Sequence, residues 1–232
     1  RGTRVDLPYR DDLIDRWTPE ATAIGGMARV RKGSKWSWDI VDEDAPLQTL
    51  AKAMWGKPFN YHSGPQMIEM FYKVMRIPYQ FKMDKGQKKV STDREALENI
   101  SAVYQRAAPL VDLVLHIKDI EKKLSVLRSG VGADGRMRFS YNICGTETGR
   151  WASRKNIYGT GTNGQNITEE LRRIFIPDDG KVFLSPDLEQ AESRVVAYIT
   201  EDENYIKACE GGDLHTTVAK MLWPDFGWTG DL

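Results

Sequence analysis

The sequence predicts an α+β fold in which helices predominate and the strands are short. The apolar residues of 110–127 recur at alternating gaps of three and four, which predicts one long helix packed lengthwise on a partner. Residues 136–141 alternate in character, and the apolar run 182–184 is bounded by turn-forming residues, so both segments predict strands. A chain of 232 residues is long enough to bury a sizeable core.

Charge is balanced overall but unevenly distributed. The chain has 33 Lys and Arg against 33 Asp and Glu, so net charge predicts no polyanionic partner. Residues 118–173 contain 11 basic and 6 acidic side chains, a net of +5, whereas residues 174–232 contain 4 and 12, a net of −8. A basic stretch followed by an acidic one suits a track for a phosphate backbone that leads to a metal site, and it also suits two ordinary surfaces.

Two cysteines and the hydropathy pattern bound the class of protein. Cys144 and Cys209 form neither a metal-ligand spacing nor a disulfide framework, which indicates a reducing compartment. The sequence has no apolar run near 18 residues and no signal peptide. We therefore expect a soluble cytoplasmic protein without a membrane partner, in the host cytoplasm if the source is viral.

Residues 1–58 show little periodicity apart from two tryptophans and one short helix. Trp36 and Trp38 lie two positions apart, which favours packing within a hairpin over stacking on bases. Residues 47–55 predict a helix that a glycine ends. His62 lies near no second ligand, so we interpret it as a loop or capping histidine.

Three further helices are predicted between residues 65 and 127. Residues 65–75 predict a helix with one apolar face. A second helix, 93–107, follows a cap supplied by Ser91 or Thr92. We expect the long helix 110–127 to pack against this second helix as an antiparallel pair.

The carboxylate of Asp187 follows the predicted buried strand 182–184, and helical spacing resumes over 189–200. A carboxylate at the end of a buried strand is held on a rigid element and suits a hard cation such as Mg²⁺. The alternative from the residues alone is that Asp187 caps a helix while Glu189 and Glu192 lie on a solvated face.

Five short motifs resemble boxes of the family A DNA polymerases, the bacterial DNA polymerase I class, in that family's order and at roughly its spacing. They are T-E-T-G-R at 146–150, Q-N-I at 165–167, L-R-R-I-F at 171–175, D-L-E-Q-A-E-S-R at 187–194 and G-D-L-H-T at 212–216. An upstream segment, F-N-Y-H-S-G-P-Q-M at 59–67, is similar to a further box. The resemblance implies template-directed DNA synthesis, in which a primer 3′-hydroxyl attacks a dNTP. The general character of the sequence suggests a phage source.

The same resemblance implies a helical thumb with a long antiparallel helix pair, joined to part of a palm with a short antiparallel sheet and the start of helical fingers. The expected domains are 1–90 for the base of the thumb and palm, 91–135 for the thumb helices, 136–200 for the palm part with the Asp187 box, and 201–232 for the start of the fingers.

The catalytic and substrate-binding residues are also implied by the resemblance. Asp187 would bridge two Mg²⁺ ions, with the carbonyl of Leu188 as a further ligand. Glu192, counted with Asp187 as catalytic, would line the sugar pocket and help to exclude a ribose 2′-hydroxyl. Gln190 and His215 are the other expected substrate-binding residues, and His215 would approach the triphosphate. Leu188 stands where the family has tyrosine.

The expected DNA contacts lie upstream of the metal box. Arg150, Gln165 and Asn166 would contact the minor-groove face of the primer-template, where acceptors are similar for all base pairs. The positions expected on the phosphate backbone are Arg172, Lys118, Lys122 and Lys123.

Two family features, the K-x-x-x-Y-G fingers helix and the H-D-E turn with the second metal carboxylate, do not occur in the sequence. We therefore expect the chain to represent the first half of a polymerase domain with little activity alone. A second chain of a split polymerase or a missing C-terminal segment would complete it. The alternatives are a non-catalytic DNA-binding remnant and a single-subunit RNA polymerase, and the T-G-R and Q-N-I motifs with Glu192 argue against the latter.

Overall fold

The computed structural model describes residues 2–84, 86–157 and 160–227, without the side chain of Asn166. The chain divides into two compact units, the first ending at Gly180 and the second beginning at Lys181. The helices are α1 Leu7–Gly25, α2 Pro46–Trp55, α3 Gly64–Ile68, α4 Arg94–Val103, α5 Ala108–Leu127, α6 Glu169–Arg172, α7 Ala191–Thr200, α8 Glu203–Glu210 and α9 Leu214–Leu222. The strands are β1 Thr3–Val5, β2 Met27–Lys32, β3 Lys35–Ile40, β4 Phe81–Asp84, β5 Gln87–Val90, β6 Arg136–Met137, β7 Phe139–Asn142, β8 Ala152–Lys155 and β9 Phe175–Ile176.

Helix α5 is the centre of the first unit, and it forms the predicted antiparallel pair with α4. The Ser101 hydroxyl donates to the Asp112 carboxylate near the connecting turn, and Arg94 pairs with Asp119 further along. The end of α4 therefore lies beside the start of α5, and the start of α4 lies beside a later part of α5, so the two helices form an antiparallel hairpin. The short antiparallel strands complete the predicted α+β class.

Helix α1, which the sequence did not predict, packs antiparallel to α5, since Gly25 at its end lies against Ile117 and Thr18 lies against Arg128 just after α5. The guanidinium of Arg128 donates to the Thr18 hydroxyl at 2.6 Å, and the Lys123 ammonium lies 5.2 Å from the centre of the Trp17 ring. Because two helices flank α5, its burial is wider than one heptad seam. Its buried residues are Leu110, Val111, Val114, Ile117, Ile120, Leu124, Val126 and Leu127.

The predicted cap and the predicted end of the second helix are wrong. Asp93 caps α4 by accepting from the Ala96 amide at 3.2 Å, while the hydroxyl of Ser91 accepts from the Asp93 amide. A carboxylate is a good N-cap acceptor, which explains the shift of two residues from Ser91. The helix ends at Val103 instead of 107, because a tight turn at Tyr104 separates it from α5.

The predicted helix 65–75 contains a change of helical pitch. It begins as α3, capped by the Ser63 hydroxyl, and continues as a π-helix over Glu69–Val74. The wider turn adds a residue per hydrogen-bonded ring, and it keeps Met67, Met70 and Phe71 all buried.

The strands form small antiparallel sheets. Strand β1 is the centre of a three-stranded sheet, pairing with β6 through Thr3–Met137 and with β9 through Val5–Phe175. Hairpins β2–β3, β4–β5 and β7–β8 form the rest. The predicted strand 136–141 is divided between β6 and β7.

The predicted tryptophan hairpin is confirmed as β2–β3. Its register places Arg29 opposite Trp38 and Arg31 opposite Trp36, so these four side chains share one face. Only glycine fits the turn between α1 and β2, since Gly26 has φ +65° and an added Cβ would lie 2.1 Å from a carbonyl oxygen.

The second unit consists of α7, α8 and α9 around a small core of Ala197, Cys209 and Leu214. The prediction of a buried strand at 182–184 is wrong. Val182 and Leu184 are 77% and 86% exposed, and the segment forms no strand. A strand needs a hydrogen-bonding neighbour, and no strand within residues 2–84, 86–157 and 160–227 pairs with this segment.

Among the described helices, none is both long enough and apolar enough to cross a membrane.

Candidate functional site

The Asp187 box begins in an irregular segment and enters helix α7. Asp187 and Glu189 are exposed, and the Leu188 side chain is 79% exposed. Gln190 has φ +54° at the start of α7, in the left-handed region that non-glycine residues rarely adopt. Asp187 therefore does not cap α7, since that position belongs to Gln190.

The structure brings the Asp187 box and the G-D-L-H-T motif together through Gln190. Its side-chain amide donates to the Asp213 carboxylate at 3.1 Å and to the Gly212 carbonyl at 3.4 Å. Asp213 also caps α9, accepting from the backbone amides of His215 and Thr216. Hydrogen bonds from Thr216 lower the pKa of Asp213 below its ordinary value, so the carboxylate stays charged. The Asp213 carboxylate thus caps α9 and also holds the side chain of Gln190 in place.

The other expected substrate-binding residues lie on first turns of neighbouring helices in this unit. Glu192 is in the first turn of α7 and His215 in the first turn of α9, and both side chains are exposed. Arg194 donates to the Glu189 carbonyl at 3.1 Å, which holds the irregular segment against α7.

The donor chemistry fits Mg²⁺ only in part. The Asp187 carboxylate and a backbone carbonyl are the hard oxygen ligands that Mg²⁺ prefers. However, the described residues contain no group of three His, Cys, Asp or Glu side chains that could hold a metal ion. A pair of ions needs more donors than these residues supply.

In the first unit, the T-E-T-G-R motif forms the connection between β7 and β8. The Thr146 hydroxyl accepts from the Arg150 amide at 3.0 Å, and the Gly149 amide donates to the Thr146 carbonyl at 3.0 Å. Gly149 has φ +77°, which explains the glycine of the motif. The tight connection holds Arg150 at the loop end of the hairpin, just before β8, where the residue is exposed.

Both the oxygen and the nitrogen of the Gln165 side-chain amide form hydrogen bonds with the backbone at strand β8. Its oxygen accepts from the Ser153 backbone amide at 2.8 Å, and its nitrogen donates to the Trp151 carbonyl at 2.9 Å. Gln165 therefore couples the Q-N-I motif to the strand that follows T-G-R. The backbone of Asn166 ends a short 3₁₀ turn, and its side chain lies outside the described residues.

The expected backbone-binding cations differ in how available they are. Burial lowers the pKa of Lys118, against the opposing influence of neighbouring carboxylates. Lys123 forms an ion pair with Glu170, while Lys122 and Arg172 are exposed. Lys122 and Arg172 are thus better placed for phosphates than the other two.

The family of the chain follows from comparison with known sequences. The sequence model of DNA polymerase family A matches residues 34–224, more than four fifths of the chain. The chain belongs to DNA polymerase family A. The matched range contains all five motifs that carry the resemblance, as well as the F-N-Y-H segment.

Individual family A relatives agree with this assignment. DNA polymerase I, thermostable, of Thermus aquaticus is 29% identical over 199 residues, covering 81% of this chain and 23% of the relative. DNA polymerase I of Streptococcus pneumoniae serotype 4 is 32% identical over 180 residues, covering 72% of this chain and 19% of the relative. The chain therefore spans about a quarter of the length of these curated polymerases.

A solved structure shares the fold. The POL domain of Pol1 from M. smegmatis, in complex with DNA primer-template and dNTP, has a TM-score of 0.70 and 24% sequence identity. The superposition covers 96% of this chain and 35% of that one. The predicted α+β fold class is confirmed, and the fold matches part of that POL domain.

Two polar clusters of the first unit were not predicted from the sequence. The side chain of Gln48 is fully buried and bonds to the backbone of Gly25 and Phe59. Glu121 accepts from the Tyr61 hydroxyl at 2.9 Å and lies 3.1 Å from the His62 ring nitrogen. Burial and this carboxylate raise the pKa of Tyr61 far above its ordinary value. The local signal for Gln48 is a polar residue among apolar neighbours, whereas Glu121 stands among charged residues and offers no such signal.

Proposed function

We propose that this chain supplies the thumb and the first part of the palm of a DNA polymerase. The polymerase transfers a nucleotide from a dNTP to a primer 3′-hydroxyl under direction of a template. The match to the family over residues 34–224 carries the proposal, and the coupling of the Asp187 box to the G-D-L-H-T motif supports it. The related POL domain of M. smegmatis was solved with DNA primer-template and dNTP.

The site residues keep the roles that the family resemblance implies. Asp187 and the Leu188 carbonyl contribute part of the donor set for two Mg²⁺ ions. Glu192 lines the sugar pocket, while Gln190 and His215 form the rest of the substrate side. A second chain or a further segment of the polypeptide supplies the remaining metal ligands and completes the palm and fingers. This division of the site explains why the described residues hold no complete metal cluster.

The DNA contacts are made from the first unit. Arg150, at the base of the β7–β8 connection, contacts the minor-groove face near the primer end together with Asn166. Gln165 shares this role and also holds β8 in place. Lys122 and Arg172 neutralise backbone phosphates, and they supply most of the salt dependence of binding. Lys118 and Lys123 contribute less, because one is partly buried and the other is paired.

A primer-extension assay with a gel shift tests the proposal. The 232-residue chain, with Mg²⁺ and dNTPs, should retain a primer-template in the gel without extending the primer. Arg150→Ala should weaken retention, whereas Asp225→Ala, which changes an exposed carboxylate outside the boxes, should not. Extension that Asp187→Ala abolishes would show that the chain contains a complete site, contrary to the proposed division. Absence of both extension and retention would refute the proposal itself.

One observation favours a second candidate, a non-catalytic DNA-binding protein: the described residues contain no group of three His, Cys, Asp or Glu side chains that could hold a metal ion. Addition of a palm and fingers fragment from a related polymerase separates the two. Extension that depends on Asp187 supports the polymerase, whereas retention without extension in any combination supports the remnant.

A further inference from the structure

A cleft of about 860 Å³ lies in the first unit, away from the family motifs. Helix α1 and the C-terminal end of α5 form one side, the hairpin β2–β3 forms another, and β8 closes the cleft. Its volume lies in the range of ligand sites in proteins. The side chains that give the cleft its chemistry are Arg29, Trp36, Trp38, Glu121, Arg128 and Lys155.

Three cations face the cleft against one carboxylate. That carboxylate, Glu121, is held by Tyr61 and His62. Arg128 donates to a neutral hydroxyl, and Arg29 lies 5.4 Å from the centre of the Trp36 ring. In the described part of the chain, neither arginine forms an ion pair, and Lys155 does not either. The cleft therefore carries excess positive charge.

The aromatic side chains of the cleft differ in exposure. Trp38 is fixed by stacking on the His62 ring, with centroids 3.9 Å apart and an interplanar angle of 13°. Trp36, on the same face of the hairpin, is 58% exposed. The Arg29 guanidinium lies over one face of this exposed indole, and the rest of the ring offers a flat surface on which a second ring can stack.

We propose that this cleft binds a segment of single-stranded nucleic acid. An unpaired base stacks on Trp36, and the adjoining phosphates contact Arg29, Arg128 and Lys155. Proteins that bind single strands combine a positively charged groove with aromatic stacking surfaces in this way. A duplex would not expose a base for Trp36. Of the side chains that give the cleft its chemistry, Arg29 precedes the range matched by the family and none belongs to the family motifs, so the site goes beyond the contacts of the proposed polymerase function.

Fluorescence anisotropy with a fluorescein-labelled oligo(dT) strand tests this site. Trp36→Ala should weaken binding about 5- to 150-fold, the factor that corresponds to loss of one stacked base. Trp36→Phe should restore most of the affinity, because a smaller ring still stacks. Arg29→Gln should reduce the slope of log affinity against log salt by about 0.7, the change expected for one lost phosphate contact on a single strand.

The hairpin β4–β5 offers a matched control. Phe81 is 50% exposed, and the Lys88 ammonium lies 4.2 Å from the centre of its ring, so the pair has the same chemistry outside the cleft. Phe81→Ala should leave oligo(dT) binding unchanged. Equal losses from Phe81→Ala and Trp36→Ala, or no loss from Trp36→Ala, would overturn the proposal. Absence of oligo(dT) binding would overturn it too, while retention of the primer-template duplex would still support the polymerase function.

Discussion

Replacement of the buried Gln48 should destabilise the first unit strongly. Its amide nitrogen donates to the carbonyls of Gly25 and Phe59, both at 2.9 Å, and its oxygen accepts from the Phe59 amide at 2.8 Å. These bonds join the end of α1, helix α2 and the F-N-Y-H segment. The methionine side chain is similar in length to that of glutamine and fills the same space, so Gln48→Met removes the three hydrogen bonds without creating a large cavity.

The cost can be worked from the three backbone groups that lose their partner. Each buried group left without a hydrogen bond costs about 1–3 kcal/mol, and partial relaxation favours the lower end. We therefore expect Gln48→Met to reduce the free energy of unfolding by about 3–5 kcal/mol. That loss is a large share of the 5–15 kcal/mol typical of a domain.

Urea denaturation followed by circular dichroism measures this loss. With a slope of about 1–3 kcal/mol per molar urea, the midpoint should fall by at least ~1 M. Gln80→Met is the control, because the side chain of this partly exposed glutamine makes only a 3.5 Å contact with a carbonyl and its replacement should change stability by less than about 0.5 kcal/mol. A loss below about 1 kcal/mol for Gln48→Met, or equal losses for both variants, would refute the reasoning.

Three further outcomes follow from contacts of the first unit. Gln165→Met should lower the free energy of unfolding by about 1–3 kcal/mol, since two bonds to β8 are lost; weaker duplex binding at unchanged stability would instead show a direct DNA contact. Lys122→Ala should weaken duplex binding more than Lys123→Ala, which removes a cation already paired, and the reverse order in a gel shift would contradict this. A hydrogen bond from an arginine lowers the pKa of Asp134 from 3.8 to about 2. Its stabilisation is therefore complete above pH 3.8 and lost as pH falls through 2; a carboxyl titration by NMR with a midpoint near 3.8 would contradict it.

The elements that the sequence predicted well are those fixed by local pattern. The long helix α5 repeats its apolar residues over five turns, and the tryptophan hairpin alternates over two strands. Helix α1 was missed because few of its residues are buried, chiefly Leu13, Ala21 and Gly25, and because Pro19 lies inside it. Its helical structure depends on the Asp6 cap and on packing against α5, and the second of these is a long-range contact.

The strand predicted at 182–184 shows the opposite error, an element that the local pattern predicts and the structure lacks. An apolar run of three residues has the composition of a buried strand, but burial requires a neighbouring strand or helix. Nothing in the local pattern specifies that neighbour, and the described residues provide none. The apolar composition of this segment therefore indicates a preference for burial, but it does not specify the neighbouring element that burial requires.

The motifs located the candidate site, whereas its internal contacts were not predictable from them. Gln165 and Gln190 were expected to contact DNA and substrate, yet both amides also bind protein groups 12 to 23 positions away. Such pairings depend on the tertiary structure, which a motif does not encode. The sequence therefore identifies the residues of a motif, but it does not identify their hydrogen-bond partners.

The geometry of Gln190 argues for function independently of the family resemblance. Its backbone adopts φ +54°, which is strained for a residue with a side chain, and its amide oxygen is buried without a hydrogen-bond partner among the described residues. The strain and the unpaired oxygen each cost on the order of 1–3 kcal/mol. A different residue or a one-residue shift of α7 would remove both costs. Gln190 nevertheless keeps both unfavourable features, three positions after Asp187. We expect this where the position of a side chain serves function at the expense of stability.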